Sequence, residues 1–300
     1  LIGLLLTAAA SSQTWRELGP APTSGFSGAA GRISAIACSA TNPDLYFVGA
    51  ADGGVWRTTD GGTTWAALTD HMPTTAIGAI ALDPLNPATI YAGTGEANFA
   101  NHSRYGMGLL KSTDGGQTWA LLAQQTFAGR CFSRLIVTPQ GTLFAAITQA
   151  GGFPERAAAK NHPQSTGSRG VFRSIDGGQT WTQLAGGLPN QDATDLAIDS
   201  ANPATLYAAV GRIFGAAENG VYKSTDGGDT WSRLSGGLPT ASVGRISIAA
   251  APSNPQRLYT LIARACDAVG GNGGTLSALR SDNAGASWTS IPAGSFQSTY

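Results

Sequence analysis

Charge is what this 300-residue chain has least of: Asp, Glu, Lys and Arg together make up 12% of it, against about a quarter in ordinary soluble domains. Its 18 basic and 18 acidic residues cancel, and no block of like charge stands anywhere. There is thus no electrostatic footprint for a nucleic-acid backbone, and no nucleic-acid partner is expected. Cysteine is scarce too. Cys38, Cys131 and Cys266 lie far apart with no C-x-x-C pair, and the odd count leaves at least one thiol unpaired within the chain. Cys38 and Cys131, set in apolar runs, read as small buried hydrophobes. No apolar run reaches the roughly 20 residues that span a bilayer, so the mature chain is expected to have no membrane span. The helix formers Lys, Glu and Met are few, whereas Gly numbers 41. That balance favours strands and turns over helices.

The first residues, LIGLLLTAAASSQ, combine an apolar stretch with an A-x-A pattern at Ala8 to Ala10. Residues 1–12 therefore read as a partial signal peptide and residues 13–300 as one exported domain, which is secreted, periplasmic or at the cell surface.

A nine-residue box recurs through the chain. It reads RTTDGGTTW at 57–65, KSTDGGQTW at 111–119, RSIDGGQTW at 173–181, KSTDGGDTW at 223–231 and, degraded, RSDNAGASW at 280–288. Successive box tryptophans are 50 to 62 residues apart. Upstream of each box comes an apolar run, a turn built mostly on Asn-Pro, and a second apolar run with one aromatic: Tyr46, Tyr91, Phe144, Tyr207 or Tyr259. Each unit is therefore strand, Asn-Pro turn, strand, variable loop, strand, D-G-G turn, strand. Four short strands per unit is the arithmetic of a propeller blade. The expected fold is all-β, a β-propeller of four-stranded antiparallel blades at about 31–69, 75–123, 132–185, 193–235 and 243–292. Residues 13–19, with Trp15, read as a closing strand and 293–300 as the start of a further blade. On that reading the five blades belong to a six- to eight-bladed ring, with further domains beyond residue 300.

The box itself reads as structural. Asp60, Asp114, Asp176 and Asp226 are placed to accept backbone N–H groups within the turn, and the glycine pairs supply positive φ. Trp65, Trp119, Trp181, Trp231 and Trp288 open the fourth strand and are large enough to fill the space between blades. Removing Trp119 is expected to cost about 3 to 5 kcal/mol. Calcium is not expected, because position 12 of an EF-hand-like loop would need a Glu and holds His71, Gln125, Gly187 or Gly237. A phosphate cradle lacks its G-K-[ST]. Neither metal nor cofactor is expected.

In an antiparallel meander the Asn-Pro turns and the boxes share one rim, and the longer variable loops share the other. Function is expected on the loop rim. Its binding candidates are Arg32, Glu96, Asn98, His102, Arg104, Tyr105, His162, Arg169 and Arg212, with Asp52 and Glu96 as candidate catalytic carboxylates. The links between blades add Asp70, His71, Arg130 and Asp192, and Arg32 and Arg245 open inner strands beside them.

The pattern S/T-x-D-x-G-x-T-W resembles the Asp-box, or BNR repeat, of β-propellers in sialidases, family 74 glycoside hydrolases, sortilin-like Vps10 receptors and photosystem assembly factors. Within it, ADGGVWR at 51–57 is similar to the family 74 segment that carries a catalytic Asp, which the resemblance places at Asp52, one residue shorter before the glycine pair. That family draws a partner Asp from a second propeller. A sialidase would need an arginine triad, for which Arg32, Arg130 and Arg245 are available, but its F/Y-R-I-P segment is replaced by GRIS at 31–34. Low charge and the absence of an evident acid pair favour a non-catalytic binding or scaffold propeller with a glycan or protein ligand on the loop rim. A glycoside hydrolase, of the family 74 endo-β-glucanase kind before the exo-sialidase kind, is the alternative.

Overall fold

The computed structural model describes residues 31–99, 103–149, 168–266 and 273–292. Within them lie five four-stranded antiparallel sheets, each with its strands in sequence order, the blades of a β-propeller. Blade 1 comprises β1 (Ile33–Cys38), β2 (Tyr46–Ala50), β3 (Val55–Thr58) and β4 (Ala66–Ala67). Blade 2 comprises β5 (Ile77–Leu82), β6 (Ile90–Thr94), β7 (Leu109–Ser112) and β8 (Ala120–Leu122), and a single helical turn, α1 (Gln124–Phe127), leads on from it. Blade 3 comprises β9 (Arg130–Val137), β10 (Leu143–Gln149), β11 (Gly170–Ser174) and β12 (Thr182–Gln183). Blade 4 comprises β13 (Ala193–Ile198), β14 (Leu206–Val210), β15 (Gly220–Ser224) and β16 (Ser232–Arg233). Blade 5 comprises β17 (Val243–Ala251), β18 (Asn254–Arg264), β19 (Thr275–Ser281) and β20 (Thr289–Ser290). The segments read as a signal peptide, a closing strand and the start of a further blade lie outside the described residues.

A strand buries alternate residues on its two faces, and here both faces of the inner blades meet a neighbour. The core is accordingly divided into apolar clusters, one between each pair of successive blades. Phe47, Ile77, Ile90 and Leu110 fill the space between blades 1 and 2, and Tyr91, Phe127, Phe132 and Phe172 that between 2 and 3. Leu184, Leu196, Tyr222 and Trp231 join blades 3 and 4, and Tyr207, Val221, Ile246 and Trp288 join 4 and 5. Cys131 is buried, but Cys38 is exposed, contrary to the reading from its apolar run. It alternates with Ala37, which packs toward blade 2, and so lies on the face of blade 1 that has no preceding blade among the described residues.

Polar contacts repeat as regularly as the apolar ones. The first box residue of each blade donates to the fifth box carbonyl of the next: Arg57 to Gly115 at 2.7 Å, Lys111 to Gly177 at 3.0 Å, Arg173 to Gly227 at 3.1 Å and Lys223 to Ala284 at 3.1 Å. Every inner strand is bulged near its start. At the bulge Ser34, Ser133 and Thr194 donate their hydroxyls to the Ile77, Ala193 and Ile246 carbonyls of the next blade. Blade 2 has Gly78 there, and a Cβ on it would overlap the carbonyl oxygens of Phe132 and Gly95. Backbone cannot swing away as a side chain can, so Gly78→Ala is expected to cost about 1 to 3 kcal/mol. The shift of its denaturation midpoint against wild type measures this.

The box closes as one hydrogen-bonded unit. The hydroxyl of Thr58, Ser112, Ser174 or Ser224 donates to the box Asp at 2.7 to 2.8 Å and accepts the second-glycine amide at 2.8 to 2.9 Å. The Asp also accepts the backbone N–H of Thr64, Thr118, Thr180 or Thr230 at 2.8 to 2.9 Å, and the same threonine's hydroxyl. Degraded as it is, the fifth box folds alike: Asn283 takes the Asp role toward Ser281 and Ser287, and Ala284 adopts the left-handed φ of 54° that the other boxes give to glycine.

These contacts hold Asp60, Asp114, Asp176 and Asp226 at a pKa of about 2, the threonine hydroxyl lowering each most and the threonine N–H next. The unfolded carboxyl sits near 4. A folded-state pKa below the unfolded one contributes stability that is complete above about pH 4 and is lost as pH falls through about 2. Stability is therefore expected to drop across that window. Asp226→Asn, which copies the natural Asn283, should fold at pH 7 and show a shallower acid slope. Denaturant midpoints between pH 5 and 2 test this, and an unchanged slope would refute it.

Candidate functional site on the loop rim

The boxes and the turns between first and second strands share one rim. The carbonyls of Asp44, Ala88 and Ala204, in those turns, and of Gln256, at the start of β18, accept the box amides of Gly61, Gly115, Gly227 and Ala284 at 2.8 to 3.1 Å. The other rim carries the segments before the inner strands and the loops between second and third strands. Its busiest element is the blade 2 loop that follows β6.

That loop reaches three other blades. Toward blade 1, Glu96 pairs with Arg32 at 2.6 Å, and Arg104 Nε meets Asp52 Oδ2 at 3.2 Å. Toward blade 3, the Arg104 carbonyl accepts the Cys131 thiol at 3.4 Å, and the Gly106 amide donates to the Arg130 carbonyl at 2.9 Å. Tyr105 packs on Ala97 and Cys131. Toward blade 5, Asn98 Oδ1 accepts from Arg245 Nη1 at 3.3 Å, and the Arg245 guanidinium lies 5.8 Å from the centre of the Phe99 ring. Blades 2 and 5 are not consecutive, so this contact joins blades that share no apolar seam among the described residues. Phe99 is buried with φ at 58°, a left-handed conformation uncommon for an aromatic residue.

Burial separates the two candidate catalytic carboxylates. Asp52 is exposed, and its Oδ1 accepts the Thr75 hydroxyl at 3.3 Å. Glu96 is 1% exposed. A substrate on the rim can reach Asp52 and cannot reach Glu96. Asp70, also exposed, stands at the same corner: its Oδ1 is 3.8 Å from where a Cβ on Gly54 would be.

A second polar knot lies between blades 3 and 4. Asp192 Oδ1 accepts the Gln149 amide at 2.8 Å and Arg169 Nη1 at 3.2 Å, and Arg169 also reaches Gln149 Oε1 at 3.1 Å. Burial pushes the Asp192 carboxyl up, with Arg169 and Arg130 pulling the other way, and it pushes Arg130 down. Burial likewise raises the Cys131 thiol, so this cysteine is no nucleophile.

The three arginines available for a triad are all engaged: Arg32 with Glu96, Arg245 with Asn98 and Phe99, and Arg130 buried beside Arg169 and Asp192. Arg212 is exposed on the blade 4 loop, its backbone clasped by the buried Asn219 at 2.8 and 2.9 Å. His102 and His162 lie outside the described residues. Thr75 and Asn219 escaped sequence reasoning. A threonine and an asparagine in polar loops carry no signal of their own until the neighbouring segment is in place. Among the described residues no group of three His, Cys, Asp or Glu could hold a metal ion, and no helix is long and apolar enough to cross a membrane.

No protein-family model matches the chain. A xyloglucanase of a Paenibacillus species is 25% identical over 198 residues, covering 62% of this chain and 17% of that protein. The xyloglucanase Xgh74A of Acetivibrio thermocellus is 28% identical over 170 residues, 52% of this chain and 18% of that one. The chain thus spans under a fifth of the length of these curated relatives. Among solved structures, an ancestral GH74 enzyme superposes with a TM-score of 0.70 at 22% identity, over 96% of this chain and 33% of that one. YCF48 bound to a D1 peptide gives 0.53 at 17% identity, over 87% and 67%. At these identities the structural likenesses bear on the fold.

Proposed function

We propose that this chain is the propeller of an exported, polysaccharide-directed glycoside hydrolase of the xyloglucanase kind, with Asp52 as a catalytic carboxylate. The observation that carries the reading is the setting of Asp52. It is the exposed carboxylate of the ADGGVWR segment, on the loop rim, oriented by contacts to each of its oxygens. The curated relatives named xyloglucanase favour hydrolysis over the non-catalytic reading that low charge had put first. Hydrolysis of a glycosidic bond takes two carboxyl groups roughly 5 to 10 Å apart. Asp52 supplies one. Asp70 is the other exposed carboxylate of its corner, whereas the family resemblance takes the partner from a second propeller.

Burial of Glu96 favours a second reading, in which the same rim binds a glycan or protein ligand without cleaving it, because it withdraws the other candidate acid of the blade 2 loop. Release of reducing ends from xyloglucan, other β-glucans and sialosides, measured for the wild type, Asp52→Asn and Asp70→Asn, separates the two. Turnover of xyloglucan that Asp52→Asn abolishes supports hydrolysis at Asp52. Retention of xyloglucan without turnover by the wild type supports binding alone.

A further inference from the structure

A closed circuit of contacts runs around Asp52. Its Oδ2 accepts from Arg104 Nε at 3.2 Å. The Arg104 carbonyl accepts the Glu96 amide at 2.9 Å. The Glu96 carboxylate binds Arg32 through Oε2 at 2.6 Å, and the Arg32 carbonyl accepts the Ala51 amide at 2.9 Å, one peptide bond from Asp52. Two segments of blade 1 and two positions of one blade 2 loop are thereby locked together. The circuit is anchored at depth, since the Arg104 carbonyl also accepts the thiol of the fully buried Cys131 in blade 3.

The circuit matters because of what an exposed aspartate lacks. The last torsion of an Asp side chain is broad and has no sharp preferred angle, so a carboxylate on a surface turn has no orientation of its own. Here Arg104 holds one oxygen and Thr75 the other. Arg104 is itself 59% exposed and would wander but for its backbone, which Glu96 and Cys131 hold. Glu96 has one oxygen on Arg32, and its other, Oε1, is buried without a hydrogen-bond partner among the described residues. Keeping a buried carboxylate so incompletely satisfied is costly.

Resting on the reading of Asp52 as the hydrolytic carboxylate, we infer that Glu96 and Arg104 are positioning residues, which fix the Asp52 carboxylate against the bond to be cleaved through the Arg32–Glu96–Arg104 circuit. Glu96 touches no substrate. Arg104 acts on Asp52 and not on the polysaccharide.

Steady-state hydrolysis of soluble xyloglucan by the full chain tests this. Misplacing a reacting group by about 1 Å can cost on the order of 100-fold. Arg104→Gln is therefore expected to lower kcat by about 10- to 100-fold with KM within about twofold, and Arg104→Lys to recover part of the loss. Glu96→Gln should lower kcat similarly, and the double variant should be no slower than the slower single one, since both act through one circuit. Arg104→Gln alters an exposed side chain, so it reports even where Glu96→Gln melts early. Unchanged kcat in both single variants while Asp52→Asn is inactive would overturn the positioning role and leave the hydrolase standing. So would effects that multiply, or a rise in KM with kcat intact, which would make Arg104 a substrate contact. A wild type that does not cleave, or an Asp52→Asn variant as fast as the wild type, removes both readings together.

Discussion

Asp52→Asn is expected to slow xyloglucan hydrolysis by about 100- to 10,000-fold, the range that a positioned proton-transferring group contributes, while leaving the fold and the affinity for the polysaccharide in place. The substitution is close to isosteric. The amide oxygen can still accept from Arg104 or from the Thr75 hydroxyl, at 3.2 and 3.3 Å in the wild type, so the side chain has reason to stay where it is. What disappears is the negative charge and with it the capacity to take a proton or attack the anomeric carbon. The pair with Arg104 is more than half exposed on both sides, and such surface pairs contribute about 0 to 1 kcal/mol. Thermal melts of wild type and variant should therefore nearly coincide. A melt shifted by many degrees would show Asp52 to be structural. Coincident melts, retained binding on immobilised xyloglucan and lost turnover would locate the chemistry at this carboxylate.

Asp52, Arg104, Glu96 and Arg32 each stand out in the sequence as candidates, but the contacts that join them do not, and the reason is range. The repeat made the architecture readable: each unit carries alternating apolar runs, one Asn-Pro turn and one D-G-G turn, and these local patterns specify four strands in sequence order, as the five sheets show. The division into a box rim and a loop rim follows from the same alternation. The inter-blade contacts of Arg57, Lys111, Arg173 and Lys223 had a visible signal, since every box begins with a basic residue, but a cation at the start of a polar turn looks like ordinary solvated charge until the next blade lies beside it. The loop rim is harder still. Glu96 drew attention as an acid in a long loop, yet its burial depends on Arg32, 64 positions earlier in the numbering, and Asn98 meets an arginine 147 residues away. Such contacts are set by how blades curve around a centre, and no window of sequence contains them. Where loops belong to no repeat, the pattern that made the strands legible is silent.

Trp231→Ala is expected to be the most damaging of the box tryptophan truncations, at about 3 to 5 kcal/mol. The five tryptophans hold the same box position but different surroundings. Trp231 is 6% exposed and belongs to the cluster shared by blades 3 and 4, with Leu184, Leu196 and Leu206. Its indole N–H donates to the Gly228 carbonyl at 2.8 Å, folding the ring back over its own turn. There is no room to repack: a Cβ on Gly228 would stand 3.4 Å from Trp231 Cζ2 and overlap Leu184. Truncation leaves a cavity in the seam between two blades, lined by strands whose backbones are held on both sides. Trp119 and Trp181 are only half-buried, and less apolar area leaves water when they pack, so their loss should cost less. Trp65, half-buried on a face with no preceding blade among the described residues, should cost least. In an array whose units pack chiefly against their neighbours, stability is close to a sum of unit and interface contributions. Weakening the seam between blades 3 and 4 should therefore do more than lower the midpoint. It should split urea unfolding into two steps, as the blades on the two sides of that seam separate. Equal losses for Trp65→Ala and Trp231→Ala, or a single unbroken transition at a lower midpoint, would show that the blades unfold as one cooperative body.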